Sequence, residues 1–249
     1  PRFSNSWDEY RNSIWHRVGY VNWGYEAIGR FDSWEQIANY PVDNDRKGNR
    51  TVVPGDIMYK DQNNDGVINY LDERPIGYRV DSTPTLNFGI NLSASWKGFD
   101  LAMDWTGSGM TSWNQCYETA RPFQNDGNSP DEVLKDAWHL SDIWDANSPL
   151  IPGKYPMVRL NTDETSAYDK SSYWLHNVTY LKLRNLEVGY TFPKTWLNRT
   201  GISNLRLFVS GTNLLTLSNL SVMDPECASD NGLDYPPMRV INIGVNLKF

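Results

Sequence analysis

The chain has 249 residues and a formal net charge of −7, from 23 Lys+Arg against 30 Asp+Glu; aromatic residues make up 13% and mean hydropathy is −0.59. An acidic chain of this kind lacks the clustered cations that neutralise phosphates, which excludes nucleic acid as a partner. No stretch approaches the ~18 consecutive apolar residues of a spanning helix, so a helical membrane protein is excluded while a β-barrel is not. Two cysteines are too few for a four-ligand zinc site or a disulfide scaffold. Pro1-Arg2-Phe3-Ser4-Asn5 has no basic n-region, apolar h-region or initiator Met, so it is not a signal peptide. Such a start fits a chain whose leader has been removed, or a segment of something longer.

In chain order, Ser33-Trp34-Glu35-Gln36 ahead of Ile37 fits a capping box and a short helix. From residue 85 to 96 the even positions are Leu86, Phe88, Ile90, Leu92, Ala94 and Trp96. The odd positions are Thr85, Asn87, Gly89, Asn91, Ser93 and Ser95. Unbroken period two predicts a strand with two unlike faces. After a Lys97-Gly98 turn, Phe99, Leu101, Met103 and Trp105 alternate with Asp100, Ala102, Asp104 and Thr106, which completes a hairpin. Residues 107–175 then read as a long polar connection. Pro130 to Trp138 looks like a helix start inside it, with Ser129 as the expected cap. Leu186, Val188, Tyr190 and Phe192 restore the alternation, but Leu181 and Leu183 lie in the opposite phase. That change implies either a bulge at Arg184-Asn185 or a strand leaving its apolar surroundings there. Strands follow from Leu205 and, at the end of the chain, over Ile241, Ile243, Val245, Leu247 and Phe249, with 214–237 as a second long connection.

Alternation alone also fits a soluble β-sandwich. Three features favour lipid. The strands reach ten residues or more, the length a tilted strand needs to cross a bilayer. Their polar faces hold Ser, Thr, Asn and Gly more than Lys and Glu. Carrying the strand directions back from Phe249 places Trp96, Phe99, Tyr190, Phe192 and Phe249 at one interface, as an aromatic girdle requires. Connections on that side are short and those on the other side long, which is the outer-membrane barrel rule. Five or six strands do not close a large barrel, so the chain reads as part of one.

One segment has the spacing of a metal loop. Asp61, Asn63, Asp65, Asn69 and Asp72 occupy positions 1, 3, 5, 9 and 12, with Gly66 at 6 and the Val67 carbonyl at 7. This set offers the hard oxygens that Ca²⁺ takes. Asp in place of Glu at position 12 makes for weaker ligation. The competing reading is an Asx-rich turn ordered by its own hydrogen bonds. Cys116 and Cys227 both fall in connections on the exterior side, where a disulfide and two separate thiols are both consistent. His16, His139 and His176 are scattered without metal-ligand spacing, Gly107-Ser108-Gly109 lacks the third glycine of a dinucleotide loop, and no catalytic arrangement emerges. Trp113, Tyr117, Phe123, Trp138 and Trp144 crowd residues 107–175. Their flat faces suit sugar rings or a partner protein, and self-packing of the loop is the alternative.

Pro54-Gly55-Asp56-Ile57-Met58-Tyr59-Lys60-Asp61-Gln62-Asn63-Asn64-Asp65-Gly66-Val67-Ile68 resembles the "GDIKYKDLNGDGVI" block of the SusC/RagA family of TonB-dependent outer-membrane transporters. The resemblance continues through Asp72 to Gly77, Lys97 to Leu101, Tyr180 to Pro193, Val209 to Thr216, and Tyr235 to Phe249. It covers about residues 54–110 and 173–249, in the family's order. It implies an all-β fold: the C-terminal strands of a large, 22-stranded transmembrane antiparallel barrel with long extracellular loops. Residues 1–83 would be a loop region with some strand and the 61–72 calcium-type loop. Residues 84–249 would be barrel strands and loops ending in the closing strand 239–249. The function implied is active import of a glycan or oligopeptide across the outer membrane of a Gram-negative bacterium, not enzymatic. The partners implied are a SusD-like surface lipoprotein acting as a lid, and TonB acting through an upstream plug. Phe249 would serve as the aromatic barrel-assembly signal. The alternative from residue patterns is a soluble, calcium-stabilised carbohydrate-binding β-sandwich.

Overall fold

In the computed structural model, the residues described are 20–79, 83–160, 164–198, 201–226, 231–235 and 237–249. The strands are β1 (Val21–Gly24), β2 (Ala27–Arg30), β3 (Ile57–Tyr59), β4 (Arg74–Arg79), β5 (Leu86–Trp96), β6 (Phe99–Asn114), β7 (His139–Leu140), β8 (Leu150–Ile151), β9 (Leu175–Thr191), β10 (Asn204–Ser218) and β11 (Val240–Lys248). Short helices α1 (Trp34–Ala38), α2 (Asp131–Lys135) and α3 (Lys194–Leu197) sit between them, none long or apolar enough to cross a membrane. The chain divides into two compact units. The first holds residues 1–83, 112–177 and 228–233; the second holds 84–111, 178–227 and 234–249. Residues 112–177 thus group with the N-terminal segment, and 84–111 with the C-terminal strands.

The second unit is an antiparallel sheet in the order β11-β10-β9-β6-β5. Lys97 and Gly98 both adopt positive φ (50° and 90°), the I′ geometry whose twist matches the flanking strands. A Cβ on Gly98 would lie 2.8 Å from the Thr191 carbonyl oxygen, so glycine is required there for space as well as conformation. The register pairs Trp96 with Phe99, Leu92 with Met103, Ile90 with Trp105 and Phe88 with Gly107, keeping all the alternating apolar residues on one face. β10 extends that face by pairing Leu207 with Tyr190 and Val245, and Val209 with Val188 and Ile243. Among the described residues most of it lies open: Leu86, Phe88, Ile90, Leu92, Val209, Ile243 and Leu247 are all exposed, Ile243 by 82%.

The phase change at Arg184-Asn185 is a bulge. Thr212 pairs with Asn185 and Leu215 with Leu183, so Asn213 and Leu214 together oppose Arg184. Arg184 and Asn185 both turn to the polar face, donating to Thr106 Oγ1 (2.9 Å) and Asp104 Oδ2 (3.3 Å). Leu181 and Leu183, opposite Leu217 and Leu215, therefore rejoin the apolar face instead of leaving it. The expected aromatic row is also present at one end. Phe99 and Tyr190 rings lie 4.6 Å apart, Tyr190 and Phe192 5.0 Å, and Trp196 joins at 6.0 Å from Phe192. Lys248 pairs with Asn204 at this same end, which brings Phe249 to it.

The first unit has a conventional core. Tyr25, Ile57, Tyr59 and Ile68 pack with Val133, Tyr155, Tyr168 and Trp174. Residues 107–114 were expected to be loop and are strand instead. Small polar residues such as Ser108, Thr111 and Ser112 are buried there, so no alternation between water and core marks them. Ser112 Oγ accepts from Tyr78 N (2.9 Å) and bonds Asn177 Oδ1 (2.9 Å). Ser129 does not cap α2; Pro130 holds the cap position without a side-chain bond. Ser33 does cap α1, accepting from Gln36 N (3.2 Å).

Candidate functional site

Three features can carry function: the 61–72 loop, the charged groups on the polar face of the sheet, and the exposed aromatics of residues 115–151.

The loop follows β3 and ends in a 3₁₀ turn, Tyr70–Asp72, which Asn69 caps. Ligand oxygens of Asp61, Asp65 and Asp72 lie within 4.8 Å of one another. Each of their six oxygens already accepts a hydrogen bond. Asp61 takes Asn64 N (2.6 Å) and Gly66 N (2.8 Å). Asp65 takes Val67 N (2.9 Å) on one oxygen and the Asn63 and Asn69 amides (2.8 and 3.2 Å) on the other. Asp72, fully buried, takes Gln62 N and Asn69 N (both 2.8 Å). A carboxylate oxygen has two lone-pair sites, so these bonds leave room for a hard cation. Burial raises the Asp72 pKa and repulsion from Asp61 and Asp65 adds to it, against the lowering effect of its two N–H donors. Burial also acts to raise Asp65, but its bonds from Asn63, Val67 and Asn69 prevail and hold it low. The Val67 carbonyl accepts from the Asn69 amide (3.1 Å). For Asn63 and Asn69 to ligate, their amides must rotate to present oxygen, whereas the three carboxylates already cluster.

On the polar face of the sheet, Lys182 of β9 is 1% exposed. Its Nζ donates to both oxygens of Asp224 (2.7 and 2.8 Å) and to Glu226 Oε2 (2.7 Å). Arg184 and the Tyr180 hydroxyl (3.1 Å) both bond Glu226 Oε1, so residues 224–226 are pinned to three successive inward positions of β9. Arg206 bonds Asp100 and also Glu187 Oε1 (2.6 Å), bracing the faces of β6, β9 and β10. Asp100 and Asp104 share this face, each bonded to a different partner, Arg206 and Asn185. Sequence reasoning missed the Lys182 cluster; Asp224-Pro225-Glu226 in a polar connection was the available signal.

The five aromatics separate. Trp113 (3% exposed) stacks on His176 at 5.7 Å, and Trp138 (6%) packs against Gly55, so both are core and cannot offer a ring to a ligand. Tyr117, Phe123 and Trp144 are exposed, Trp144 by 90%. Cys116 is half-buried at the end of β6; Cys227 lies outside the described residues, as does His16.

No protein-family model matches the chain. Among curated proteins, TonB-dependent receptor P3 of Formosa agariphila is 30% identical over 242 residues, 90% of this chain and 22% of that protein. The chain is homologous, over nine-tenths of its length, to a segment of TonB-dependent receptors. TonB-dependent receptor P26 of the same organism is 27% identical over 91% of the chain, and TonB-dependent receptor SusC of Bacteroides thetaiotaomicron 24% over 94%. The fold matches the RagAB peptide transporter with a TM-score of 0.57 over 92% of this chain and 22% of that one, at 21% identity. The RagAB importer in its closed-closed state gives 0.58 at 20% identity, over 92% of this chain and 23% of that one. The chain spans about a fifth of the length of the curated relatives it matches.

Proposed function

We propose that this chain supplies wall strands and exterior loops of a TonB-dependent outer-membrane importer, a 22-stranded barrel whose closing strand is β11. The carrying observation is the five-stranded sheet whose apolar face lies largely open among the described residues. A sandwich would bury such a face under a second sheet, and lipid is the medium that accepts it. In this reading the aromatic row around Phe99, Tyr190 and Phe249 sits at the inner interface and the polar face lines the lumen. The cargo is a glycan or an oligopeptide. The relative described as a peptide transporter supports the second, and the exposed Tyr117, Phe123 and Trp144 suit contact with cargo or with a SusD-like lid. Energy comes from TonB acting on a plug elsewhere in the protein.

An immunoblot of outer membranes, boiled and unboiled, with an antibody against residues 238–249 tests this. A band several times 28.6 kDa that shifts on boiling is expected. A soluble band indifferent to boiling refutes the barrel and favours the calcium-stabilised binding module.

The 61–72 loop is, in the same reading, a Ca²⁺ site that orders an exterior loop, with Asp61, Asp65, Asp72 and the Val67 carbonyl as ligands and Asn63 and Asn69 completing the set. Calcium at a hundredfold its Kd is expected to stabilise the loop by about 2.7 kcal/mol. This is read as slower proteolysis within 61–72, and Asp65→Asn should abolish the effect. Equal cleavage with calcium and with chelator refutes it.

A further inference from the structure

Within the first unit, Asp56 stands just ahead of β3, and Arg159 precedes the 3₁₀ turn Ser166–Tyr168 that Thr165 caps. Asp56 is fully buried, and its Oδ2 accepts from Arg159 Nη2 (2.8 Å) and Val53 N (3.0 Å). The same Nη2 donates to Thr165 Oγ1, which also accepts from Ala167 N (3.2 Å). One side of this ion pair is left unanswered. Among the described residues, Asp56 Oδ1, Arg159 Nε and Nη1, and the Tyr168 hydroxyl are shut off from solvent without a hydrogen-bond partner. Oδ1 shares its carbon with Oδ2, and Nε and Nη1 share theirs with Nη2, so these orphaned atoms flank a single contact. Tyr168, 6% exposed, is held by stacking on Trp174 at 5.5 Å. Burial pushes its hydroxyl pKa up; Arg159 lowers it and Asp56 raises it, so the hydroxyl stands in the field of both charges.

We propose that one or two water molecules are bound between Asp56 and Arg159. They bridge Asp56 Oδ1 to Arg159 Nε and Nη1, with the Tyr168 hydroxyl as a further partner. The inference is independent of the transport reading. The donor set selects the ligand: guanidinium nitrogens only donate, and a carboxylate oxygen only accepts. A cation would satisfy Oδ1 but face the guanidinium, and an anion would satisfy the nitrogens but face the carboxylate. Water donates and accepts, and it leaves the neutral pair neutral. Buried polar groups are nearly always paired, and a buried water typically makes about three hydrogen bonds, which these three side chains supply. The Arg159 side chain is 18% exposed and marks the way in from solvent. The bound water completes a tie between positions 103 residues apart in the chain. It thereby fixes the root of β3, from which the 61–72 loop departs.

A high-resolution crystal structure of the full-length protein tests this. Density is expected at about 2.7–3.2 Å from Asp56 Oδ1 and from an Arg159 nitrogen. No density there overturns the proposal. So does an anomalous signal at that point after a bromide soak, which would identify an anion instead. X-ray hydroxyl-radical labelling reads the same site in solution, because radicals formed from a bound water oxidise the side chains around it. Tyr25 is the matched control: it is 7% exposed, and its hydroxyl is already engaged by Arg46 Nη1 (3.2 Å). Tyr168 is expected to oxidise several-fold faster than Tyr25. Equal rates overturn the bound water.

Discussion

Replacing Lys182 by Met probes the cluster that ties residues 224–226 to β9. Methionine keeps most of the stem volume and removes the charge. Among the described residues Asp224, with side-chain exposure of 17%, then retains the Glu226 N–H (3.0 Å) alone, while Glu226 keeps Arg184 and Tyr180. Breaking a buried pair by removing one partner costs about 3–5 kcal/mol, because a charge is left uncompensated. With one of the two carboxylates still neutralised by Arg184, the lower end, about 3 kcal/mol, applies. The penalty falls on the docking of the connection and not on the sheet, whose backbone ladder is untouched. Amide hydrogen exchange of the peptide covering 219–226 in the full-length protein should therefore accelerate by about two powers of ten, at 1.36 kcal/mol per decade. Adding Asp224→Asn removes the stranded charge and should recover part of the protection, giving a non-zero coupling in the double-mutant cycle. Acceleration of less than tenfold, or additive single effects, refutes the argument that the buried ammonium holds this segment.

Two further predictions concern single residues. Asp45 accepts four hydrogen bonds, from the N–H groups of Lys47, Asn49 and Thr51 and the Thr51 hydroxyl. Burial acts to raise its pKa, but these donors outweigh it and hold it at about 2, against 3.8 for a free aspartate. A depressed folded pKa contributes stability above pH 3.8 that is lost as pH falls toward 2, worth about 2 kcal/mol at neutral pH. Asp45→Asn should cost about that much at pH 7 by urea-dependent proteolysis of residues 42–59, with the gap to the parent closing below pH 4; a constant gap refutes it. Gly98→Ala forces a Cβ into a positive-φ site against the Thr191 carbonyl and should cost about 1–3 kcal/mol. The readout is a lower urea midpoint for the heat-modifiable band; an unchanged midpoint counts against the turn assignment.

The sequence by itself determined the regular strands of the sheet. β5, β11 and the first parts of β6 and β10 follow from period-two alternation and from Lys97-Gly98, whereas the change of phase at Arg184-Asn185 left a bulge and a departing strand both open until the register with β10 decided for the bulge. The alternations are local signals, because a strand with two unlike faces records its surroundings at every second residue. The DxNxDG spacing of the 61–72 loop was legible for the same reason, since its side chains bond their own backbone. Tertiary structure alone decided the rest. Residues 115–174 carry no period, and their place is set by contacts between distant positions, such as the Tyr59 hydroxyl on the Ser166 carbonyl (2.7 Å). Trp113 and Trp138 looked like ring platforms because nothing in their neighbourhood marks burial; the elements that cover them arrive from elsewhere in the chain. Lys182 reads as one more hydrated lysine until Asp224 and Glu226, more than 40 residues on, close over it. Burial of a charge depends on where its partners come from, and that information lies in the fold.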